Sequence, residues 1–182
     1  SDTYKGDIKT GLLENDYIKD TDINQTDLED HITGRIFVSR TKIIPWLSRE
    51  VGLKDKKLLE IGSGTGSSSV TFAEQGAIVT GIDIDNASLE VARIRAELLN
   101  LDIKYSKFSA TEIKNLKEQY DIIIYYATLE HMTTEERIDS LKQAWNALKY
   151  KGHLIVVEAP NRLWIEDTHT SELPFFQWLP DD

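Results

Sequence analysis

The chain has 182 residues, 40% hydrophobic and 29% charged, enough for one domain with a substantial core. It has no cysteine and a net charge of −10, which excludes disulfides, thiolate metal sites and cysteine nucleophiles and argues against a basic nucleic-acid-binding face. No run approaches the ~20 apolar residues of a membrane span, and the polar, acidic start is no signal peptide, so a cytoplasmic setting and no membrane partner are expected.

Residues 1–30 hold nine acids against three lysines. They read as a solvated acidic arm, residues 1–34, with a short helix near Gly11–Tyr17; a lid over a site is the sharper alternative. Residues 35–182 read as a single folded domain. Ile36, Ile43, Ile44 and Leu47 fall near one helical face, with a break expected near Pro45. "KKLLEIG" (56–62) is a short apolar strand, and "SSSVTFAEQG" after it a helix closed by Gly76. "AIVTGIDID" (77–85) is a second strand, and "NASLEVARIRAELLNL" an amphipathic helix with Leu89, Ala92, Ala96 and Leu99 on one face. "IKYSKFSA" (103–110) is a third strand. "YDIIIYYA" (120–127) is a fourth, apolar enough for burial on both faces. Thr133 and Glu136 form a capping box opening a helix with Ile138, Leu141, Trp145 and Leu148 at helical spacing, closed by Gly152. "HLIVVEA" (153–159) is a fifth strand, stopped by Pro160. Strands alternating with helices give an α/β class, a doubly wound Rossmann-like parallel sheet whose ligands sit beyond the C-terminal strand ends.

The chain starts Ser1-Asp2 without Met and stops at "FFQWLPDD", so it reads as a fragment, with a sheet truncated to about five strands. The stretch 160–180 mixes Trp164, Phe175, Phe176 and Trp178 with Asn161, Arg162 and His169. Most of it is expected to pack at the sheet edge, with Asn161 and His169 as candidate substrate contacts.

The loop Glu60-Ile61-Gly62-Ser63-Gly64-Thr65-Gly66 lies between the first strand and first helix, where bare backbone and free N–H groups approach a ligand. A dinucleotide loop would read G-x-G-x-x-G; here the order is G-x-G-x-G, two residues after an acid. That carboxylate repels a pyrophosphate and suits a cationic group. Asp83, 17 residues after Gly66 at the second strand tip, is placed to accept both hydroxyls of a ribose.

At these residues the sequence resembles a known family. "LLEIGSGTGSSSVTFAEQGAIVTGIDIDNASLEVAR" looks like the first two motifs of class I methyltransferases, which use S-adenosylmethionine. "FSATEI" (108–113) is similar to the third-strand motif, with Ser109 in place of the usual acid. "YDIIIYYATLEHM" and "LKYKGHLIVVEAPN" resemble the fourth and fifth. The resemblance implies that Gly62 and Gly64 pass beneath the methionine moiety, whose amino group Glu60 and nearby carbonyls help hold, with Ser63 and Gly66 also among the cofactor-binding residues. It implies Asp83 on the ribose, Ile84 on adenine, and Ala110 and Thr111 at the adenine edge. Glu130 and His131 follow the fourth strand; His131 is the candidate general base for an acceptor hydroxyl, and Glu130 a candidate substrate contact. Ala127 stands where some relatives place a metal-binding acid, so no metal is expected. The expected function is methyl transfer from S-adenosylmethionine to a small-molecule acceptor, at oxygen, without a nucleic-acid partner. The alternatives are a non-catalytic cofactor-binding domain and an NAD-dependent oxidoreductase.

Overall fold

The computed structural model describes Ile8, Thr10 and residues 30–159. The acidic stretch 11–29, with the helix expected near Gly11–Tyr17, and the aromatic stretch from residue 160 onward lie outside the described residues. Five strands form one sheet: β1 (Lys57–Ile61), β2 (Ile78–Asp83), β3 (Lys104–Lys107), β4 (Tyr120–Tyr126) and β5 (Leu148–Val157). Their order is β3-β2-β1-β4-β5, and every neighbouring pair is parallel. The chain therefore winds outward from β1 to one edge, then returns to build the other half. The direction reverses between β1 and β4, where a parallel sheet opens a crevice at its C-terminal end.

Period-2 alternation sorts the central side chains onto two faces. Leu58, Val79, Ile122, Ile124 and Ile155 pack with Leu47 and Phe72 in one layer. Leu59, Ile61, Ile82, Ile123 and Tyr125 pack with Ile113 and Ala144 in the other. Burial on both faces is why β4 reads as a continuous apolar run.

The first layer includes α1, a continuous helical run of consecutive segments Asp30–Gly34, Arg35–Val38, Ser39–Ile43 and Ile44–Glu50. Two of these have π-type hydrogen bonding. The break expected at Pro45 is instead a change of register: the proline sits in the first turn of the last segment, where its missing N–H costs little. The run passes through residues 34 and 35 unbroken, so the proposed arm boundary falls inside a helix. Ile8 and Ile32 are buried, which a wholly solvated arm does not predict. Next come α2 (Ser67–Glu74) and α3 (Asn86–Leu98). Asp85 caps α3, accepting from Ala87 N–H at 3.2 Å and Ser88 N–H at 2.9 Å, which leaves Asp83 free of that duty.

On the other face lie a 3₁₀ segment, Ala110–Leu116, and α4 (Thr134–Ala147). The Thr133–Glu136 capping box forms. The face assigned to α4 from spacing holds at Leu141, which packs against this layer, and is corrected at Ile138 and Trp145. Ser140 and Ala144 are buried, whereas Ile138 and Trp145 are 50% and 67% exposed. Small residues win the interface because they let the helix lie close to β4 and β5. The end of α4 is corrected too: Leu148, not Gly152, turns extended and starts β5. Among the described residues no helix is long and apolar enough to cross a membrane.

The bond that ties α4 to β4 joins two buried hydroxyls, Tyr125 Oη and Ser140 Oγ, 2.6 Å apart. Tyr125→Phe leaves Ser140 unsatisfied and is expected to cost about 1–2 kcal/mol in urea denaturation. Adding Ser140→Ala is expected to recover part of that loss, and full additivity of the two changes is the opposite outcome.

Candidate functional site

The three alternate glycines of the loop after β1 all adopt left-handed backbone: φ is 70° at Gly62, 49° at Gly64 and 74° at Gly66. L-residues with a side chain rarely take this conformation, so the spacing encodes the path of the chain. Each glycine has a separate further reason. A side chain at Gly62 would meet Thr128 at 2.3 Å, and one at Gly66 would meet Tyr105 Oη at 2.5 Å. At Gly64 a side chain would meet nothing within 4 Å, because that position faces open cavity. Gly66 does not line the cavity; it lets α2 pack against α3 and β3.

The loop is pinned from β2. Gly62 and Ser63 donate N–H bonds to Ile82 C=O at 2.9 and 3.0 Å. Gly64 N–H donates to Asp83 Oδ2 at 2.8 Å, while Asp83 Oδ1 accepts from Asp85 N–H at 2.9 Å. Each carboxylate oxygen keeps a lone pair directed elsewhere.

A cavity of about 460 Å³ opens over these strand ends. From β1 it is lined by Gly62, Ser63 and Gly64, from β2 by Asp83 and Ile84, and beyond β3 by Phe108, Ser109, Ala110 and Thr111. From β4 come Tyr126, Thr128 and His131, from β5 Glu158, and from α1 Arg35. Of the sequence-predicted site residues, Gly62, Ser63, Gly64, Asp83, Ile84, Ala110, Thr111 and His131 meet here. Asn161 and His169 lie outside the described residues. Glu130 does not line the cavity, although it shares the 3₁₀ turn Leu129–His131 with His131. A three-residue turn points neighbouring side chains in different directions.

Glu60 stands apart from the cavity residues. It is fully buried and not part of the lining; its carboxylate turns behind the loop to accept from Ser68 Oγ and Ser69 Oγ in the first turn of α2. Burial pushes its carboxyl up to about 7, against the lowering effect of the two serine bonds and with a further push from Asp83. Arg95 is also fully buried, on α3. Its Nε donates to Thr65 C=O at 2.9 Å and its Nη1 to Ile32 C=O at 3.0 Å, tying the loop to α1. Ser109 caps the 3₁₀ segment together with Glu112, so it serves the backbone at the place where an acid was expected.

Sequence reasoning missed Arg35, Tyr126, Thr128 and Glu158. Thr128 Oγ1 donates to Ile61 C=O at 3.1 Å, closing the crevice between β1 and β4. Tyr126 Oη donates to Glu158 Oε1 at 3.4 Å. Burial, then the neighbouring Glu158 charge, holds the Tyr126 phenol above the usual tyrosine range. The available signal for Tyr126, Thr128 and Glu158 was their position at or just beyond the ends of β4 and β5; Arg35, on α1, had none.

The residues present fit a bound adenosyl group. Ser63 Oγ is buried, lines the cavity and has no hydrogen-bond partner among the described residues. Ile84, 67% exposed, offers an apolar surface beside the Asp83 carboxylate. An uncovered polar atom, a bare-backbone cradle and an uncovered apolar side chain together suit a flat, polar-edged ligand.

A family described as "Methyltransferase domain" matches residues 58–152. Curated relatives include the ubiquinone biosynthesis O-methyltransferase of Pseudomonas savastanoi pv. phaseolicola, 36% identical over 90 residues, covering 49% of this chain and 39% of the relative. The enzyme of that name from Histophilus somni is 42% identical over 86 residues, covering 44% of this chain and 36% of the relative. The chain thus spans about two fifths of the curated relatives it matches. Among solved structures, magnesium protoporphyrin IX methyltransferase from Synechocystis PCC 6803 with bound SAM has a TM-score of 0.64 at 22% identity, covering 84% of this chain and 77% of that one. A 16S rRNA methyltransferase from T. thermophilus has a TM-score of 0.57 at 20% identity, covering 65% of this chain and 33% of that one.

Because Glu60 binds its proton more tightly in the folded state than the ordinary carboxylate value of 4.5 implies, its contribution favours folding below that pH and is lost as pH rises toward about 7. Glu60→Gln is expected to remove that dependence, so the stability gap between variant and parent should shift by on the order of 3 kcal/mol between pH 4.5 and 7 in urea titrations. A pH-independent gap is the contrary result.

Proposed function

The chain belongs to the class I S-adenosylmethionine-dependent methyltransferase family, and from that premise we propose that it transfers a methyl group from S-adenosylmethionine to the oxygen of a small-molecule acceptor. The observation that carries the reading is the join of Asp83 to Gly64, which sets a carboxylate and bare backbone on one cavity wall. Asp83 holds the ribose hydroxyls, Gly62, Ser63 and Gly64 lie under the methionine part, Ile84 packs on adenine, and Ala110 and Thr111 flank its edge. Ser109 leaves that edge to backbone groups. The donor supplies an electrophilic methyl on a positively charged sulfur.

The protein's own work is alignment and exclusion of water. Strand order lays the site out from β3 to β5: adenine end, ribose, methionine, then acceptor. The acceptor end falls at Tyr126, Thr128, His131 and Glu158. His131 is the imidazole available to take a hydroxyl proton there. The O-methyltransferase names of the curated relatives support oxygen as the target. The fold alone leaves the acceptor open, since a similar fold serves an rRNA methyltransferase. The net charge of −10 favours a small molecule over nucleic acid. A cysteine-free chain suits a reducing, cytoplasmic setting.

A ligand that binds only the folded state raises its melting temperature by mass action. S-adenosylmethionine and S-adenosylhomocysteine are expected to stabilise the protein, NAD not to, and Asp83→Ala to abolish the shift. Stabilisation by NAD alone would point to an oxidoreductase. Binding of both adenosyl ligands with no turnover across a panel of phenols, catechols and alcohols would leave a non-catalytic cofactor-binding domain.

A further inference from the structure

β4 and β5 end in the same unusual way. Ala127 has φ 48° and Glu158 has φ 58°, both in the left-handed region, one residue beyond the strand tips. The two turns are coupled, because Ala127 N–H donates to Val157 C=O at 2.9 Å. Glutamate is poorly suited to this conformation, where glycine or asparagine is the ordinary choice. Strain of this kind concentrates where a side chain is held for function. Here the backbone turn sets Glu158, exposed to solvent, at the rim of the cavity, where Tyr126 Oη donates to its carboxylate at 3.4 Å. The pair stands at the far end of the cavity from Asp83, three strands away in the sheet order β2-β1-β4-β5.

Resting on the methyl-transfer reading above, we propose that Glu158, positioned by Tyr126, recognises the acceptor. Its carboxylate accepts a hydrogen bond from a hydroxyl of the acceptor next to the attacking one, whose own proton goes to His131; this selects neutral hydroxyl acceptors and rejects anionic ones. A carboxylate in this place gains a charge-assisted bond from a hydroxyl and repels a second carboxylate or a phosphate. It differs in role from His131: Glu158 orients and selects, and the imidazole takes the proton.

The test needs no knowledge of the acceptor. Sinefungin carries an amine-bearing carbon in place of the donor's methyl-bearing sulfur, so its ammonium takes the methyl's position and points toward the acceptor. S-adenosylhomocysteine has nothing there. Calorimetric Kd values for both ligands are compared in the parent, Glu158→Asn and Glu158→Asp. Asparagine tolerates the left-handed turn, so the fold is expected to persist, with melting temperature as the control; Glu158→Gln serves if it does not. The parent's preference for sinefungin is expected to fall about tenfold in Glu158→Asn, the worth of one charge-assisted hydrogen bond. S-adenosylhomocysteine affinity is expected to change less than about twofold, and Glu158→Asp to restore part of the preference. An unchanged preference, or equal weakening of both ligands, overturns the assignment of Glu158 while leaving the cofactor reading intact. Failure of both ligands to bind the parent overturns the cofactor reading itself, and this proposal with it.

Discussion

The carboxylate of Asp83 holds two separate pieces of backbone, the N–H of Gly64 in the loop after β1 and the N–H of Asp85 at the head of α3. These bonds fix the relative height of two neighbouring strand ends. The loop can follow β1 in left-handed steps because glycine stands at each of them. If the loop moved, Gly64 would lose its acceptor and the cavity wall would lose its shape. The remaining wall residues are placed by the sheet, whose parallel register sets every C-terminal strand end at one level.

Behind that wall lies a buried polar layer. Glu60 is held by Ser68 and Ser69, and Arg95 reaches both the loop and α1. A buried carboxyl and a buried guanidinium are costly unless satisfied, and here their partners are the loop and the helix that must stay together. The layer therefore converts a flexible, glycine-rich segment into a fixed cradle. The division of labour is clear: Asp83 faces the ligand side, while Glu60 and Arg95 brace the loop from behind.

Much of the fold was legible. Short apolar runs separated by amphipathic helices permit few arrangements, and all five expected strands form, although β3 is shorter than expected and β5 starts five residues earlier, at Leu148. The misreadings share one cause. Trp145 was assigned to a core face on size and spacing, yet the close approach of α4 to β4 selects Ser140 and Ala144. Gly66 shares the spacing of Gly62 and Gly64, yet what a side chain there would meet is Tyr105 and Ala92, which the spacing does not show. Spacing reports backbone conformation; it does not report what lies across a gap from another element.

The sequence by itself determined the strand–helix alternation, the left-handed loop and the carboxylate at the tip of β2, because each follows from local chain geometry and short spacing. Only the tertiary structure decided which way Glu60 turns, and that Tyr126 and Glu158 meet at the β4–β5 end of the cavity. Those residues are separated by 32 positions and joined by strand pairing. The pairing brings two strand tips side by side, and a contact of that kind has no signature in the order of residues along either strand.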